Sequence, residues 1–382
     1  MLCVYDKYTS QDDLRNMNCG LGILRPKSMK TRESENGEYV CNIEYVISEK
    51  DAMWLYLTPW NIVRNSEGQL FVIKTVETTM SNGQSVLRAS AEHISYYLAD
   101  KNLQECTVTD ANCHDALNHM WRRTEKGWGG TPGIGTVEYD FAFYSDIQKK
   151  ASFYFDKVNP LYAIMGAENS VLSLYGGQLD RDNFTITLNS RKKGSRDNAF
   201  SIVHGINMLE IRESISVKDL CTGIVGADNY NDWKGRATKE PQFSSHEIIK
   251  HISFSYSGDS NLQHDVDKYY DEHIGPEITY EVKFKDLRQI ERYKDWMALQ
   301  TFNIGDRGVI RSEFLNIDTT QEIISRTVND VTGETESITL GNFRPSLWAS
   351  SNRYISRDGA DSRRLKALEK MQINRMFAWE ED

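Results

Sequence analysis

The sequence predicts an α+β fold that is mainly β: two related β-domains, a small α/β domain between them and a terminal helix. Three observations carry that prediction. Residues 171–193 read as two strands joined by a short polar turn, with Leu172 and Leu174 alternating with Ser173 and Tyr175. After Asp180-Arg181-Asp182-Asn183, the residues Phe184, Ile186 and Leu188 alternate with Thr185, Thr187 and Asn189, the period-two pattern of a half-buried strand. Similar strand-like runs fill the chain on both sides of this hairpin, whereas helical periodicity is confined to a few short stretches.

Residues 1–103 form the first β unit, barrel-like and of roughly one hundred residues. Strands are expected at 39–47, 70–77 and 85–91, with Asn36-Gly37 and Asn82-Gly83 as hairpin-turn signals. Short helices are expected only at 51–57 and 93–99. Residues 104–195 change character. A helix over 110–123 places Ala116, Leu117, Met120 and Trp121 on one face. The glycine-rich loop GWGGTPGIG (127–135), a strand at 139–143 and a helix at 159–167 opened by Pro160 follow. The order helix, strand, helix, hairpin predicts a small α/β domain.

Residues 196–350 return to β, with strands expected at 199–203, 208–216, 219–226, 278–284, 321–329 and 336–340. The last two make a hairpin around Thr332-Gly333-Glu334. The polar stretch 228–275 reads as an irregular insertion. Residues 351–382 are a tail whose segment 362–376 spaces Leu365, Leu368 and Met371 as a helix.

Composition narrows the function classes. Forty-five basic against 55 acidic residues leave a net charge of −10, which opposes gripping a nucleic-acid backbone but allows one to pass close by. No apolar run reaches the roughly 20 residues that span a bilayer. The first residues lack a basic region followed by an apolar core, so synthesis and folding in the cytoplasm are expected. The six cysteines contain no CxxC pair and are expected as free thiols.

Catalytic and metal constellations are weak throughout. Cys113, His114 and His119 share a predicted helix, but a five-residue histidine spacing turns the rings apart, and HExxH is absent. Asp180 and Asp182 flank Arg181 as a glycosidase pair would, yet turns commonly carry Asp. Cys106 and Cys113 lack any nucleophile signature; GxSxG and the Walker A pattern are missing. Arg191-Lys192-Lys193 reads as a solvated strand end, with a phosphate contact as the other option. No catalytic, cofactor-binding or metal residue is expected, and the protein is expected not to be an enzyme.

Several segments in fixed order resemble one family. They are Tyr5-Asp6-Lys7, ENGEYVCNIE (35–44) before Tyr45-Val46-Ile47, and AEHISYY (91–97). Tyr175-Gly176-Gly177-Gln178 follows, with Asp182-Asn183-Phe184-Thr185-Ile186, then HGIN (204–207), Ile317-Asp318 and Thr339-Leu340-Gly341-Asn342. The chain is similar to the phage tail-tip hub proteins, a group that includes phage minor structural proteins and prophage endopeptidase tail proteins, and to the baseplate hub of contractile-tailed phages. The resemblance implies two tube-like β-barrel domains per subunit and a homotrimer whose six such domains match a sixfold tail tube. It implies a virion protein made in the host cytoplasm that caps the tube, meets the distal tail protein, receptor-binding, fibre or spike proteins, and opens for viral DNA. The acidic balance then suits a lumen through which DNA slides, and the 228–275 stretch suits a contact arm. Many relatives carry peptidoglycan-cleaving or fibre domains after this region; this chain ends at Asp382, so endopeptidase activity is not expected. The alternatives are a carbohydrate-binding receptor module and a peptidoglycan hydrolase.

Overall fold

The computed structural model describes residues 1–125 except 17 and 82, residues 138–238 except 168, 219, 229 and 230, and residues 248–254. It also describes 263, 266, 267, 269 and 270, and residues 277–341 except 286, 288–300 and 316. The glycine-rich loop 127–135 and the helix expected at 362–376 lie outside the described residues.

The first region holds β1 (Cys3–Tyr5), β2 (Gly22–Ile23), β3 (Ser28–Ser34), β4 (Tyr39–Val46), β5 (Ile62–Arg64), β6 (Leu70–Ser81) and β7 (Gln84–His93), with helix α1 (Gln11–Arg15) between β1 and β2. Short 3₁₀ turns at Ala52–Tyr56 and Ile94–Asp100 occupy the two places where the sequence predicts helices. Helix α1 is an addition. Ser10 caps it by accepting from Asp13 N–H, a signal too short to stand out in a polar run. Ile62-Val63 of β5 and the LFVI start of β6 are continuous apolar runs rather than alternating ones because both of their faces are covered. Ile62, Leu70 and Val72 enter one core, and Val63, Phe71 and Ile73 enter another.

The middle region contains β8 (Cys106–Asn112), α2 (Cys113–Arg123), β9 (Ala142–Ser145), β10 (Lys150–Phe155), α3 (Val171–Tyr175), β11 (Gln178–Asp182) and β12 (Thr185–Asn189). Helix α2 starts three residues later than predicted, because 110–112 finish β8 and Asn112 caps the helix through Asp115 N–H. Its predicted face, Ala116, Leu117, Met120 and Trp121, is buried. The 159–167 helix shrinks to a π-helical turn at Tyr162–Gly166. The stretch 171–175, expected as a strand, is the helix α3: Ser170 caps it, accepting from Ser173 N–H, and Gly176 at φ 72° ends it. The hairpin that follows is β11–β12. Its turn falls at Asn183-Phe184, with Asn183 at φ 48°, so Asp180, Arg181 and Asp182 are strand residues.

The last region runs through β13 (Phe200–Val203), β14 (Met208–Ser216), β15 (Gly223–Asp228), β16 (Asn231–Thr238), β17 (Ile249–Phe254), β18 (Glu277–Phe284), β19 (Arg307–Ser312), β20 (Ile317–Asn329) and β21 (Glu334–Gly341). Part of the stretch read as an irregular insertion is ordered sheet: β15 pairs antiparallel with β16 and parallel with β17. Glycines and charged residues mute the alternation there, which hid these strands from the sequence pattern.

The chain is mainly β, and its two β-regions share one thirteen-stranded sheet. The path runs β14-β18-β21-β20-β3-β4-β7-β6-β5-β1-β2, with β19 and β13 attached beside β20. The junction is the 13-residue strand β20, whose first half pairs with β19 and whose second half pairs with β3. The middle region is joined to the first one by packing. Leu98 and Leu103 lie in the same apolar core as Leu117, Phe143, Ile164 and Leu188, so burial runs straight across residue 103.

Gly177 is where the hairpin begins, at φ 93°, and a Cβ there would stand 2.4 Å from the carbonyl oxygen of Asn189. Gly177→Ala therefore combines backbone strain with a clash against main chain. It is expected to lower the unfolding free energy by about 1–3 kcal/mol, read as an earlier denaturant midpoint; an unchanged midpoint would contradict the geometry.

Candidate functional site

The hairpin β11–β12 returns to the sheet at the point where β3 and β20 meet, and charged groups from three regions converge there. Glu33 on β3 is buried. Its Oε1 accepts from Lys192 Nζ at 2.7 Å and its Oε2 from Arg326 Nε at 3.1 Å. Lys192 also lies 3.1 Å from Asp180 Oδ1. The Arg326 guanidinium continues to Glu67 through a two-pronged contact at 2.9 and 2.8 Å, the geometry that suits a planar fork and a carboxylate. Beside this node Gln178 donates to Glu322 Oε1 at 2.5 Å and accepts from Lys192 N–H at 2.6 Å. Asn36, in the β3–β4 turn at φ 48°, donates to the Gly177 carbonyl and accepts from Leu179 N–H.

A second line of contacts fastens the far end of the hairpin. Gln69 donates to Asp182 and accepts from Asn183 N–H, while Asn183 accepts from Leu70 N–H. Arg181 donates to the Gly37 carbonyl, and its guanidinium lies over the rings of Tyr39 and Tyr96, 5.3 and 5.6 Å from their centroids.

The environment sorts the two buried glutamates oppositely. Burial works to raise the Glu33 carboxyl, but the Lys192 ammonium and the Arg326 guanidinium overcome it and hold it at about 2. Burial raises Glu35 too, and there the neighbouring Glu322 carboxylate adds to the effect, pushing it up to about 7. Glu35 Oε2 is buried with no hydrogen-bond partner. Burial disfavours the Lys192 ammonium, and Glu33 and Asp180 more than restore it.

The outer end of the sheet is a different kind of surface. Strand β14 pairs with β18 on one side and ends the strand path on the other. Leu209 is 71% and Ile215 59% exposed, and Ile206 and Val217 flank them in the open. Val203 stands opposite Arg311 in the parallel pair β13–β19. The turns carrying Ile206 and Phe314 therefore leave from the same end, and Phe314 is 84% exposed. A third surface is an open cleft of about 720 Å³ lined by Trp54, Leu55, Ile47 and Gln84. Trp60, exposed and at φ 76°, lies on the same chain segment, with Lys74 Nζ 4.6 Å from its ring centroid.

The sequence-level candidates disperse. Cys113 and Cys106 are buried, with burial raising both thiols. Asn118 Nδ2 lies within 3.5 Å of the His114 ring, and no group of metal-ligating side chains occurs among the described residues. Asp180 and Asp182 are engaged by Lys192 and Gln69. Lys192 corrects the reading of 191–193 as a solvated or phosphate-binding end: its ammonium is spent on two carboxylates inside the molecule, and Arg191 pairs with Asp197. Glu33, Glu67 and Arg326 were not legible as a site, because 159 and 293 residues separate Glu33 from its two cations.

Two family descriptions match the sequence: the prophage endopeptidase tail N-terminal domain over residues 4–93 and the prophage endopeptidase tail over residues 196–350. No curated protein matches it. Among solved structures the fold is similar to prophage tail protein gp18 of Listeria monocytogenes EGD-e, with a TM-score of 0.61 and 18% identity over 93% of this chain and 99% of that one. It is similar to a tail protein of Neisseria meningitidis MC58, with a TM-score of 0.57 and 10% identity over 85% and 95% of the two chains. The 43 kDa tail protein of prophage MuSo2 from Shewanella oneidensis gives 0.56 and 12% over 85% and 94%.

Two changes test the node. Lys192→Met leaves Glu33 buried with one cation, and is expected to cost about 3–5 kcal/mol at neutral pH; a loss below 1 kcal/mol would mean that water reaches the carboxylate. Glu35 binds its proton more tightly folded than unfolded, so its support is complete below pH 4.5 and is lost as pH rises through about 7. Glu35→Gln should match the parent near pH 4 and exceed it by about 1–3 kcal/mol at pH 8. Equal profiles in denaturant titrations across that range would remove Glu35 from the account. Glu33 runs the other way, its contribution decaying as pH falls from 4.5 toward about 2.

Proposed function

The chain belongs to the prophage endopeptidase tail family and is a phage tail component, and from that premise we propose that it is the hub of a tail tip. In this reading three copies form a ring that caps the distal end of the tail tube, contacts the distal tail protein, and presents receptor-binding, fibre or spike proteins on its other side. The ring opens for DNA, whose passage the net charge of −10 favours by discouraging adhesion. Its role is structural, not enzymatic.

The observation that carries the proposal is the single sheet with two unlike ends. A ring of identical subunits needs two different complementary surfaces on each copy. Here one end is the nine-residue strand β14 with its exposed apolar side chains, and the other is the two-residue strand β2 beside β1. An exposed apolar edge invites pairing unless something covers it. The engagement of Asp180, Asp182, Cys106 and Cys113 in the fold supports the structural role over a cell-wall hydrolase. A carbohydrate module would stack sugars on exposed aromatics; Trp60 is the natural platform, but Lys74 lies over its ring.

Light scattering behind a sizing column tests the ring. The trimer has three times the 43.9 kDa subunit mass. Leu209→Lys with Ile215→Lys should return the species to the monomer mass with little change in unfolding midpoint, since both side chains are exposed. A parent chain that remains monomeric at every concentration, alone and with tube and tip proteins added, would end the proposal.

A further inference from the structure

Strand β1 sends Cys3 into the core shared by the first and middle regions. A parallel bridge between Val4 and Gly20, and the bond from Leu21 N–H to the Val4 carbonyl, lay the following loop along this strand. That places Cys19 against Cys3, with the two Sγ atoms 2.9 Å apart. The Met1 thioether sulfur lies 3.1 Å from Cys19 Sγ on the outer side. The two thiols differ in access: Cys3 is buried and Cys19 is half-buried. Cys41, Cys106, Cys113 and Cys221 are buried.

We propose that Cys3 and Cys19 are an oxidisable dithiol, a modification site at which a small-molecule disulfide closes a bond between β1 and the loop beside it. Cys19, the reachable sulfur, attacks one sulfur of the incoming disulfide as its thiolate. That bond breaks, one small thiol leaves with the electron pair and takes up a proton, and Cys19 carries the other half as a mixed disulfide. Cys3 Sγ then attacks Cys19 Sγ, loses its proton and expels the second small thiol. The protein gives up two hydrogens, and the small disulfide is reduced to two thiols. The order follows from burial, which together with the hydrogen bond to Cys19 pushes the Cys3 thiol up to about 11. Cys3 is thus a poor first nucleophile, yet it is already in contact with the sulfur it must attack. A tail component passes from a reducing cytoplasm to oxidising surroundings, where such a bond persists. The chemistry does not depend on the hub assembly.

The test uses the full chain, reduced, desalted and exposed to oxidised glutathione at about pH 8, near the ordinary thiol pKa. After an acid quench the protein is unfolded, alkylated and mapped by mass spectrometry. Free thiols are expected to fall from six to four, with one cross-linked peptide joining Cys3 to Cys19 and the other four cysteines alkylated. Cys3→Ser should stop at the mixed disulfide, retaining glutathione on Cys19. The proposal is overturned if the parent chain keeps all its thiols, stops at a glutathione adduct on Cys19, or links a different pair. The parent map alone decides the matter, so a folding defect in the variant does not rescue the idea.

Discussion

Lys192 and Arg326 keep Glu33 ionised inside the molecule, and each cation comes from a different part of the chain. Removing a carboxylate from water costs several kcal/mol, and attraction to its partners repays this only where the geometry is good and the remaining lone pairs are used. Both Glu33 oxygens are used, and Arg326 spends its other edge on Glu67. The arrangement is directional in a way that an apolar contact is not. An apolar patch tolerates sliding, whereas a fork on a carboxylate fixes both distance and angle. The fork thus fixes β20 against Glu67, and Lys192, bound to both Glu33 and Asp180, ties the hairpin β11–β12 to that node.

That junction lets one sheet serve two regions. Strand β20 would be an edge along its second half if β3 did not continue the ladder past the end of β19. The Ser34 and Ser325 hydroxyls meet at 3.0 Å at the crossing, and Glu35 N–H donates to the Ile324 carbonyl. Backbone pairing supplies cohesion, and the charges above it select the register. Within the first region the same economy appears on a smaller scale. Strands β1, β5 and the start of β6 direct alternate residues into two cores, so they hold the middle region on one face and close the first region on the other.

Much of the fold was legible because alternation is a local signal. Strand β14 has the bounds predicted for it, β18 and β21 lie where the pattern placed them, and Thr332-Gly333 joins the two strands expected of it; Asn36-Gly37 precedes the expected strand β4, but β3 on its other side was not expected. The buried face of α2 followed directly from helical spacing. The failures have equally local causes. Five residues, Val171 to Tyr175, satisfy both periods, and the Ser170 cap with Gly176 decided for helix. Strands β16 and β17 were hidden by glycine and charge. The site is another matter. Lys192 sat in a run of three basic residues that reads as solvated, and nothing near it in sequence announces Glu33. Long-range charge pairing has no period, so it could not be read from one chain. The oxidisable pair was equally hidden, since a sixteen-residue separation matches no metal or redox spacing.

In the proposed ring, the ionic junction inside each copy and the β14 edge outside it would divide the work of assembly. If β14 paired with its own copy, the contact would use one end of the sheet and stop at a dimer. Meeting the opposite end leaves a free β14 on the next copy, so growth continues until the rotation closes. Strand β2 offers two residues against nine in β14, so a backbone ladder between them would be short. Most of that contact would come from side chains, and β14 exposes Leu209 and Ile215 among Glu210, Arg212, Glu213 and Ser214, with Ile206 and Phe314 also exposed. A side-chain contact of that kind adjusts in angle more readily than a long ladder. In the proposed ring, such tolerance would suit a contact that holds while closed and yields on opening.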